Sequence, residues 1–229
     1  MKENERSRLG SISDRSLTDQ AYKILKEAIV SLKLKPGERL KESMLAEELG
    51  ISKTPIKGAL ARLKQEGFVE ITSFRGASVA EINDRDVEEI FELRELLEGA
   101  AVKRAAITFP SEDLQKGEAL LEKMREAYKA GDTESYATSS QDFHYLFIRA
   151  FGNQRMMNTL KTFRDQLERI RRTVIATPGN IPLFIKDYEK ILEALKKREP
   201  EEAERALLAH MRRSKGIFLK SKGHKVANR

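Results

Sequence analysis

Hydrophobic residues near the start of the chain recur at the spacing of short amphipathic helices. Over residues 16–32 they fall every three or four positions, and Ser16 with Asp19 forms a capping-box pattern at the start of that stretch. Two shorter helices are expected next, one from about Ser43 to Leu49 and one that begins after Ser52. The pattern therefore predicts three helices joined by short turns.

The pattern then changes to two short extended runs, FVEIT and ASVAEI, which are connected by SFRG. These runs predict a two-stranded ribbon with Arg75 and Gly76 at its tip. Three helices followed by a ribbon is the order of a winged helix, whose third helix fits the major groove of DNA and whose wing fits the minor groove. Residues 16–82 are thus predicted to form a DNA-binding domain.

From residue 83 onward the hydrophobic pattern is helical throughout. It predicts six helices, over about residues 84–107, 111–130, 132–150, 153–175, 181–197 and 200–220. The predicted fold is mostly α, with an N-terminal winged helix-turn-helix domain followed by an all-α helical bundle at residues 83–220. A polar lead-in at residues 1–15, expected to be disordered, and a basic tail at residues 221–229 flank the two domains.

The composition excludes several classes of protein. The chain has no cysteine, which rules out disulfides and thiolate metal sites, and its three histidines leave little acid–base capacity. Zinc-hydrolase motifs, a phosphate-binding glycine loop and a Ser-His-Asp arrangement are absent, so we expect no enzymatic activity. No segment approaches the roughly 18 apolar residues of a membrane span, and the start lacks the apolar stretch of a secretory signal. The predicted location is the cytoplasm, with no membrane partner.

The net charge of +7 is concentrated at the C-terminal end. Residues 210–229 carry seven Lys or Arg and no acid, so the total charge by itself is weak evidence for nucleic-acid binding. The third predicted helix is more informative, because Lys53 and Lys57 lie opposite its apolar stripe. Ser52 and Thr54 add hydroxyls at its start, where free N–H groups and the helix dipole favour phosphate. An ordinary solvated face is the alternative, and the neighbouring wing favours DNA binding over it.

Two parts of the sequence resemble one family of bacterial regulators. LKPGERLKESMLAEELGISKTPIKGALARLKQEGFVEITSFRGASV resembles the DNA-binding domain of the GntR family. FELRELLEGAAVKRAA, DFHYLFIRAFGNQRM and AERALLAHMRRS resemble the helical effector domain of its FadR-type branch, called the FCD domain. The resemblance implies a homodimeric transcription regulator, more often a repressor, that binds a palindromic DNA operator. It also implies that a small carboxylate metabolite, bound in the helical domain, modulates operator binding.

The resemblance also assigns roles to particular side chains. The residues that match the family's phosphate and base contacts, with those at the wing tip, are Arg39, Ser52, Lys53, Thr54, Pro55, Lys57, Arg75 and Gly76. Lys53 and Lys57 stand where the family usually has arginine, so the planar fork that reads guanine is missing. Gly58 replaces the usual glutamate. The family's operator is therefore not expected to carry over in detail.

Helical phase places several polar side chains on the inner stripes of the bundle. Arg94 lies among apolar neighbours, so its charge requires a carboxylate from the protein or from a ligand. The same test selects Ser140, His144, Tyr188 and His210. Each has a simpler interpretation, namely a core histidine or tyrosine or an Arg94 paired with an internal glutamate. Their joint occurrence on four helices predicts a shared effector cavity.

Many members of this branch hold a divalent metal in the same region. The family's ligands are an Asp or Asn, a His four residues later, and two further histidines. Here Ser140 and Tyr188 occupy two of these positions, so His144 and His210 form an incomplete site and no cofactor is expected to be required. A metal-dependent regulator that uses these two histidines is one alternative, and a non-specific nucleic-acid-binding protein with a cationic tail is another.

Overall fold

The structure is a computed structural model that describes residues 16–73 and 76–226. The described residues form two compact units that divide between Glu81 and Ile82. The predicted lead-in at residues 1–15, the wing-tip residue Arg75 and the last three residues of the predicted tail lie outside the described residues.

The first unit is a winged helix, as predicted. Its elements are α1 Leu17–Val30, β1 Arg39–Leu40, α2 Glu42–Glu48, α3 Lys53–Gln65, β2 Val69–Thr72 and β3 Gly76–Val79. The sheet is antiparallel in the order β1-β3-β2, so the predicted ribbon gains a third, two-residue strand. Such a short strand has no periodicity of its own, and only its pairing with β3 defines it.

The N-terminal ends of α1 and α3 are capped differently. Ser16 caps α1, because its hydroxyl accepts the Asp19 N–H at 3.2 Å. Ser52 is the N-cap residue of α3 but makes no side-chain capping hydrogen bond among the described residues. The first N–H groups of α3 are therefore not satisfied by the Ser52 hydroxyl.

The last turn of α3 is tied to α1 by a polar cluster. Tyr22 Oη donates to Glu66 Oε2 at 2.7 Å, and Lys26 Nζ lies 2.9 Å from the same oxygen. The Arg62 guanidinium stacks 3.7 Å from the centre of the Tyr22 ring and pairs with Asp19 at 3.2 Å. Arg62 therefore holds the helix in place and is not one of its outward cations.

The second unit is a helical bundle. Its elements are α4 Asp84–Thr108, α5 Ser111–Ala130, α6 Thr133–Phe151, α7 Gln154–Thr162, α8 Arg164–Ile175, α9 Asn180–Lys197 and α10 Pro200–Val226. The prediction of one helix over residues 153–175 is wrong, because Phe163 leaves the helical conformation and separates α7 from α8. The Phe163 side chain is buried in the core, so the break follows from packing and has no Pro or Gly to mark it.

Helix α4 lies at the centre of this unit and packs against α6, α9 and α10. Its inner face buries Val87, Phe91, Ala101 and Ala105, with polar side chains between them. None of the helices in the described part of the chain is both long and apolar enough to cross a membrane.

Helices α1 and α3 pack closely together at Gly58. A Cβ atom at this position would lie 2.8 Å from Thr18 Cγ2, which is too close for an ordinary contact. We expect Gly58→Ala to gain less than the roughly 1 kcal/mol that helix propensity alone would give. The double variant Thr18→Ala, Gly58→Ala should recover that gain, because it removes the methyl group in the way. Hydrogen exchange of peptides from α1 and α3 measures the change in stability of the single and the double variant. If Gly58→Ala alone gains the full amount, the contact does not explain the glycine.

Candidate functional site

The start of α3 carries an exposed polar surface. Ser52, Lys53, Thr54 and Lys57 are exposed, whereas Pro55 is buried in the first turn. Pro55 therefore lies beneath the surface that was predicted to contact DNA, where it shapes the start of the helix.

An open groove runs between the start of α3 and the wing. Its volume is about 440 Å³, and its lining includes Arg39, Lys41, Lys53 and Gly76. Lys57 lies beside α2, with its Nζ 3.8 Å from Glu42 Oε2 at the surface. Three predicted DNA-binding residues, from β1, α3 and β3, thus line one cationic groove. Exposed cations grouped in this way can bind phosphate oxygens.

The polar residues predicted from helical phase meet in the bundle. One cavity of about 30 Å³ is lined by Arg94, Ser140, His144, Tyr188 and His210, together with Tyr136 and Arg171. That volume is enough for a water molecule but far below a site for a metabolite. All five predicted residues therefore share one small cavity.

Arg94 meets its carboxylate within the protein. Its Nε donates to Glu98 Oε1 at 2.7 Å, one turn further along α4, and both side chains are buried. His144 Nδ1 lies 2.7 Å from the other oxygen, Glu98 Oε2. Because this oxygen accepts, the geometry assigns the His144 proton to Nδ1. The sequence left two partners open for Arg94, a carboxylate of the protein or a carboxylate of a ligand. The structure shows the first of these, Glu98.

The pKa values of this cluster follow from burial and from the nearby charge. Burial raises the pKa of Glu98, but the positive charge of Arg94 and the hydrogen bonds outweigh it, and the pKa falls to about 2. Burial lowers the pKa of His144 to about 4, although Glu98 opposes that shift. At neutral pH His144 is therefore uncharged, and Arg94 supplies the charge that keeps Glu98 ionised.

Ser140, Tyr188 and His210 make further polar contacts. Ser140 Oγ and Tyr188 Oη share a hydrogen bond of 2.7 Å, and Tyr188 Oη lies 3.4 Å from His144 Nε2. His210 Nδ1 lies 3.6 Å from Asp187 Oδ2, an oxygen that Arg213 already contacts at 2.9 Å. Burial lowers the pKa of His210, so this ring too is neutral at pH 7.

A second cavity of about 20 Å³ is also lined by Arg94 and His144. Four residues line both cavities, namely Arg94, His144, Leu167 and Arg171. Leu167 and Arg171 belong to α8, so this helix forms part of the wall between the two spaces.

The cavity residues do not fit a metal site. Among the described residues no three His, Cys, Asp or Glu side chains are placed to hold a metal ion. Ser140 and Tyr188 bond to each other, and His144 Nδ1 is directed at Glu98. Weak or absent metal binding by His144 and His210 remains a prediction.

Comparison with known families covers both units. The model of the bacterial regulatory proteins of the gntR family matches residues 17–79, and the FCD domain model matches residues 89–213. The chain belongs to the GntR family. It is a transcriptional regulator of that family with an FCD domain, as the sequence motifs predicted.

Several known proteins are similar to this chain over most of its length. The transcriptional regulator YdhC of Bacillus subtilis is 31% identical, over 83% of this chain and 86% of the relative. McbR of Escherichia coli is 30% identical over 91% and 96%. A solved structure of E. coli McbR/YncC superposes with a TM-score of 0.70 at 27% identity, covering 91% of this chain and all of that one. RspR of E. coli, named a transcriptional repressor, is 24% identical over 85% and 86%.

Three cavity residues of this GntR-family chain were missed in the sequence. Glu98 lies four residues after Arg94, a spacing that places the two side chains together on a helix. Tyr136 lies four residues before Ser140 on α6, and Arg171 lies four after Leu167 on α8. In each case the helical period carried the signal that could have found the residue.

The buried ion pair makes a prediction about stability. Arg94→Met should destabilise the bundle by about 3–5 kcal/mol, because it leaves the Glu98 carboxylate buried without a cation. Arg94→Met with Glu98→Leu should recover most of that loss. Urea unfolding followed by circular dichroism measures both.

A matched control lies on the same helix. Arg85 and Glu89 have the same spacing and a 2.7 Å contact, but their side chains are 87% and 58% exposed. Arg85→Met should therefore change stability far less. An Arg94→Met loss no larger than the Arg85→Met loss would contradict the importance of the buried pair.

Proposed function

We propose that the chain is a homodimeric, sequence-specific repressor whose binding to a palindromic operator is modulated by a small organic acid in the bundle. The observation that carries the effector part is the meeting of Arg94 and Arg171 with several neutral polar side chains at one cavity. The repressor part is supported by the similarity to RspR, which is a transcriptional repressor.

The DNA-binding surface is the groove beside α3. Lys53 and Arg39 line it, and Lys57 is exposed one turn after Lys53. Ser52 and Thr54 stand at a helix start whose N–H groups are not capped by the Ser52 side chain. Phosphate oxygens suit this helix start, while the lysines reach further phosphates or base edges.

Dimerisation is supported by the outer face of α4. Leu93, Leu96 and Ile107 are 42%, 66% and 65% exposed, with Ala100 between them at helical spacing. An apolar stripe of this kind on a helix is well suited to a second copy of the same helix. Two joined copies would present two winged helices to the two halves of a palindrome.

The carboxylate of the effector is better placed on Arg171 than on Arg94. Arg94 is already compensated by Glu98 at 2.7 Å. Arg171 pairs with Glu168, but Glu168 also accepts from Arg172 at 2.7 Å, so it keeps a cation if Arg171 turns to a ligand. Arg171 can therefore bind an acid without leaving an uncompensated buried charge.

Effector binding requires the cavity to grow. The two small cavities share the side chains of Leu167 and Arg171, so an outward shift of α8 would merge them. The break at Phe163 lets α8 move without carrying α7 as one rigid helix. The organic acid would then bind the open form in preference to the closed one, which is the condition for a shift in population.

Operator binding tests the DNA part of the proposal. Lys53→Ala and Lys57→Ala should each weaken binding to a palindromic site in the DNA upstream of this protein's own gene. The expected loss is about 1–3 kcal/mol for a lysine that reaches a base edge. The control is Lys186→Ala, an equal charge loss at an exposed position of the bundle helix α9. Fluorescence anisotropy measures the affinity for DNA, and the dependence of that affinity on salt concentration reports the number of phosphate contacts. Equal affinity for unrelated DNA would favour the non-specific alternative.

Ligand-induced stabilisation tests the effector part. A small organic acid that binds should raise the melting temperature of the wild type through mass action. Arg171→Met should abolish that rise, whereas Arg85→Met should keep it, because Arg85 is exposed and lines neither of the two cavities described. If Arg171→Met keeps the full rise, the acid is held elsewhere. If no acid stabilises the wild type, the carboxylate effector itself is wrong.

A further inference from the structure

Tyr136 is a buried tyrosine whose hydroxyl has no hydrogen-bond partner among the described residues. It lies on α6, its side chain is 1% exposed, and it lines the 30 Å³ cavity. Burial raises the pKa of Tyr136, and the nearby Tyr188 acts in the same direction, which outweighs the opposing positive charge of Arg171. The group is therefore a neutral phenol, able both to donate and to accept a hydrogen bond.

An unpartnered buried hydroxyl is uncommon in a folded protein. Such a group destabilises the chain, because it loses its hydrogen bonds to water on folding and gains none in return. A phenylalanine would fill the same space without that cost. The position therefore indicates a partner that enters the cavity from outside the chain.

The remaining walls of the cavity explain what kind of partner fits. Ser140 and Tyr188 share a hydrogen bond, and Asp187 is paired with Arg213. His210 Nδ1, at 3.6 Å from Asp187, has no hydrogen-bond partner within the described part of the chain. The space of about 30 Å³ admits a group the size of a water molecule and is too small for a carboxylate.

From this arrangement we infer that the cavity is a hydroxyl-binding subsite, so that the effector is a hydroxy acid and Tyr136 is the residue that recognises its hydroxyl. The inference rests on the proposed function, in which Arg171 holds the carboxylate. A hydroxyl matches the size of the space and, like the phenol, both donates and accepts. Without effector, a water molecule can take the same place.

The group that replaces this water molecule determines the selectivity between a hydroxy acid and its deoxy analogue. A ligand hydroxyl reproduces the hydrogen bonds of the water that it displaces, whereas a methylene group in its place does not. The acid that lacks the hydroxyl leaves Tyr136 buried and unpartnered in the complex as well. A site built around a hydroxyl therefore rejects the deoxy analogue.

Matched acid pairs test the inference. Calorimetric titration compares lactate with propionate, malate with succinate, citrate with tricarballylate, and 3-hydroxybutyrate with butyrate. For the pair that binds, we expect the wild type to bind the hydroxy acid at least tenfold more tightly than its deoxy partner. Tyr136→Phe should remove that preference by weakening only the hydroxy acid. The variant should fold normally, because the lost hydroxyl makes no hydrogen bond in the protein.

The control is Tyr128→Phe. Tyr128 lies on α5, is exposed and lines neither of the two cavities described, so the loss of its hydroxyl should leave the preference unchanged. Equal binding of the two acids of a pair by the wild type, or a preference that survives Tyr136→Phe, would overturn the inference and leave the acid effector in place. If no acid binds the wild type, the proposed effector class falls and the inference falls with it.

Discussion

The buried pair of Arg94 and Glu98 is the contact on which the centre of the bundle depends. An isolated charge at this depth would cost far more than packing could return, so neither residue can lie there without the other. The pair also determines the state of its neighbour, since the Glu98 carboxylate fixes the proton of His144 on Nδ1. With both charges compensated internally, the cavity beside them is lined mainly by neutral groups.

Three arginines of this chain have different roles, and the contacts of each side chain determine its role. Arg62 stacks on Tyr22 and holds the third helix of the winged domain against the first. Arg94 is compensated within its own helix. Arg171 lies at a cavity wall, and its carboxylate partner is shared with Arg172. Of these three arrangements, the last lets a guanidinium change partners without stranding a charge, which is why we propose that the acid binds at α8.

Much of the architecture follows from the sequence, because periodicity and caps are local signals. Ser16 with Asp19, and the glycines and prolines between helices, mark most helix ends within two residues or so. The break at Phe163 could not be predicted, since a core contact made by tertiary packing causes it. Helical phase also brought Arg94, Ser140, His144, Tyr188 and His210 to one cavity. It could not choose between an internal and an external carboxylate for Arg94, because that choice depends on rotamers and on the distances between side chains.

The small size of the cavity bears on how such a site can regulate. A pocket that is equally well formed in two states binds its ligand equally in both, and such a ligand does not shift the equilibrium between them. Under the proposed function, a metabolite would have to displace α8 to enter, so its binding would favour an altered bundle. Helix α4 carries Arg94 and begins at Asp84, about 15 Å away along its axis and directly after the winged unit. A displacement at the cavity that moves α4 is therefore passed along one continuous helix to the chain segment that leads into the DNA-binding unit.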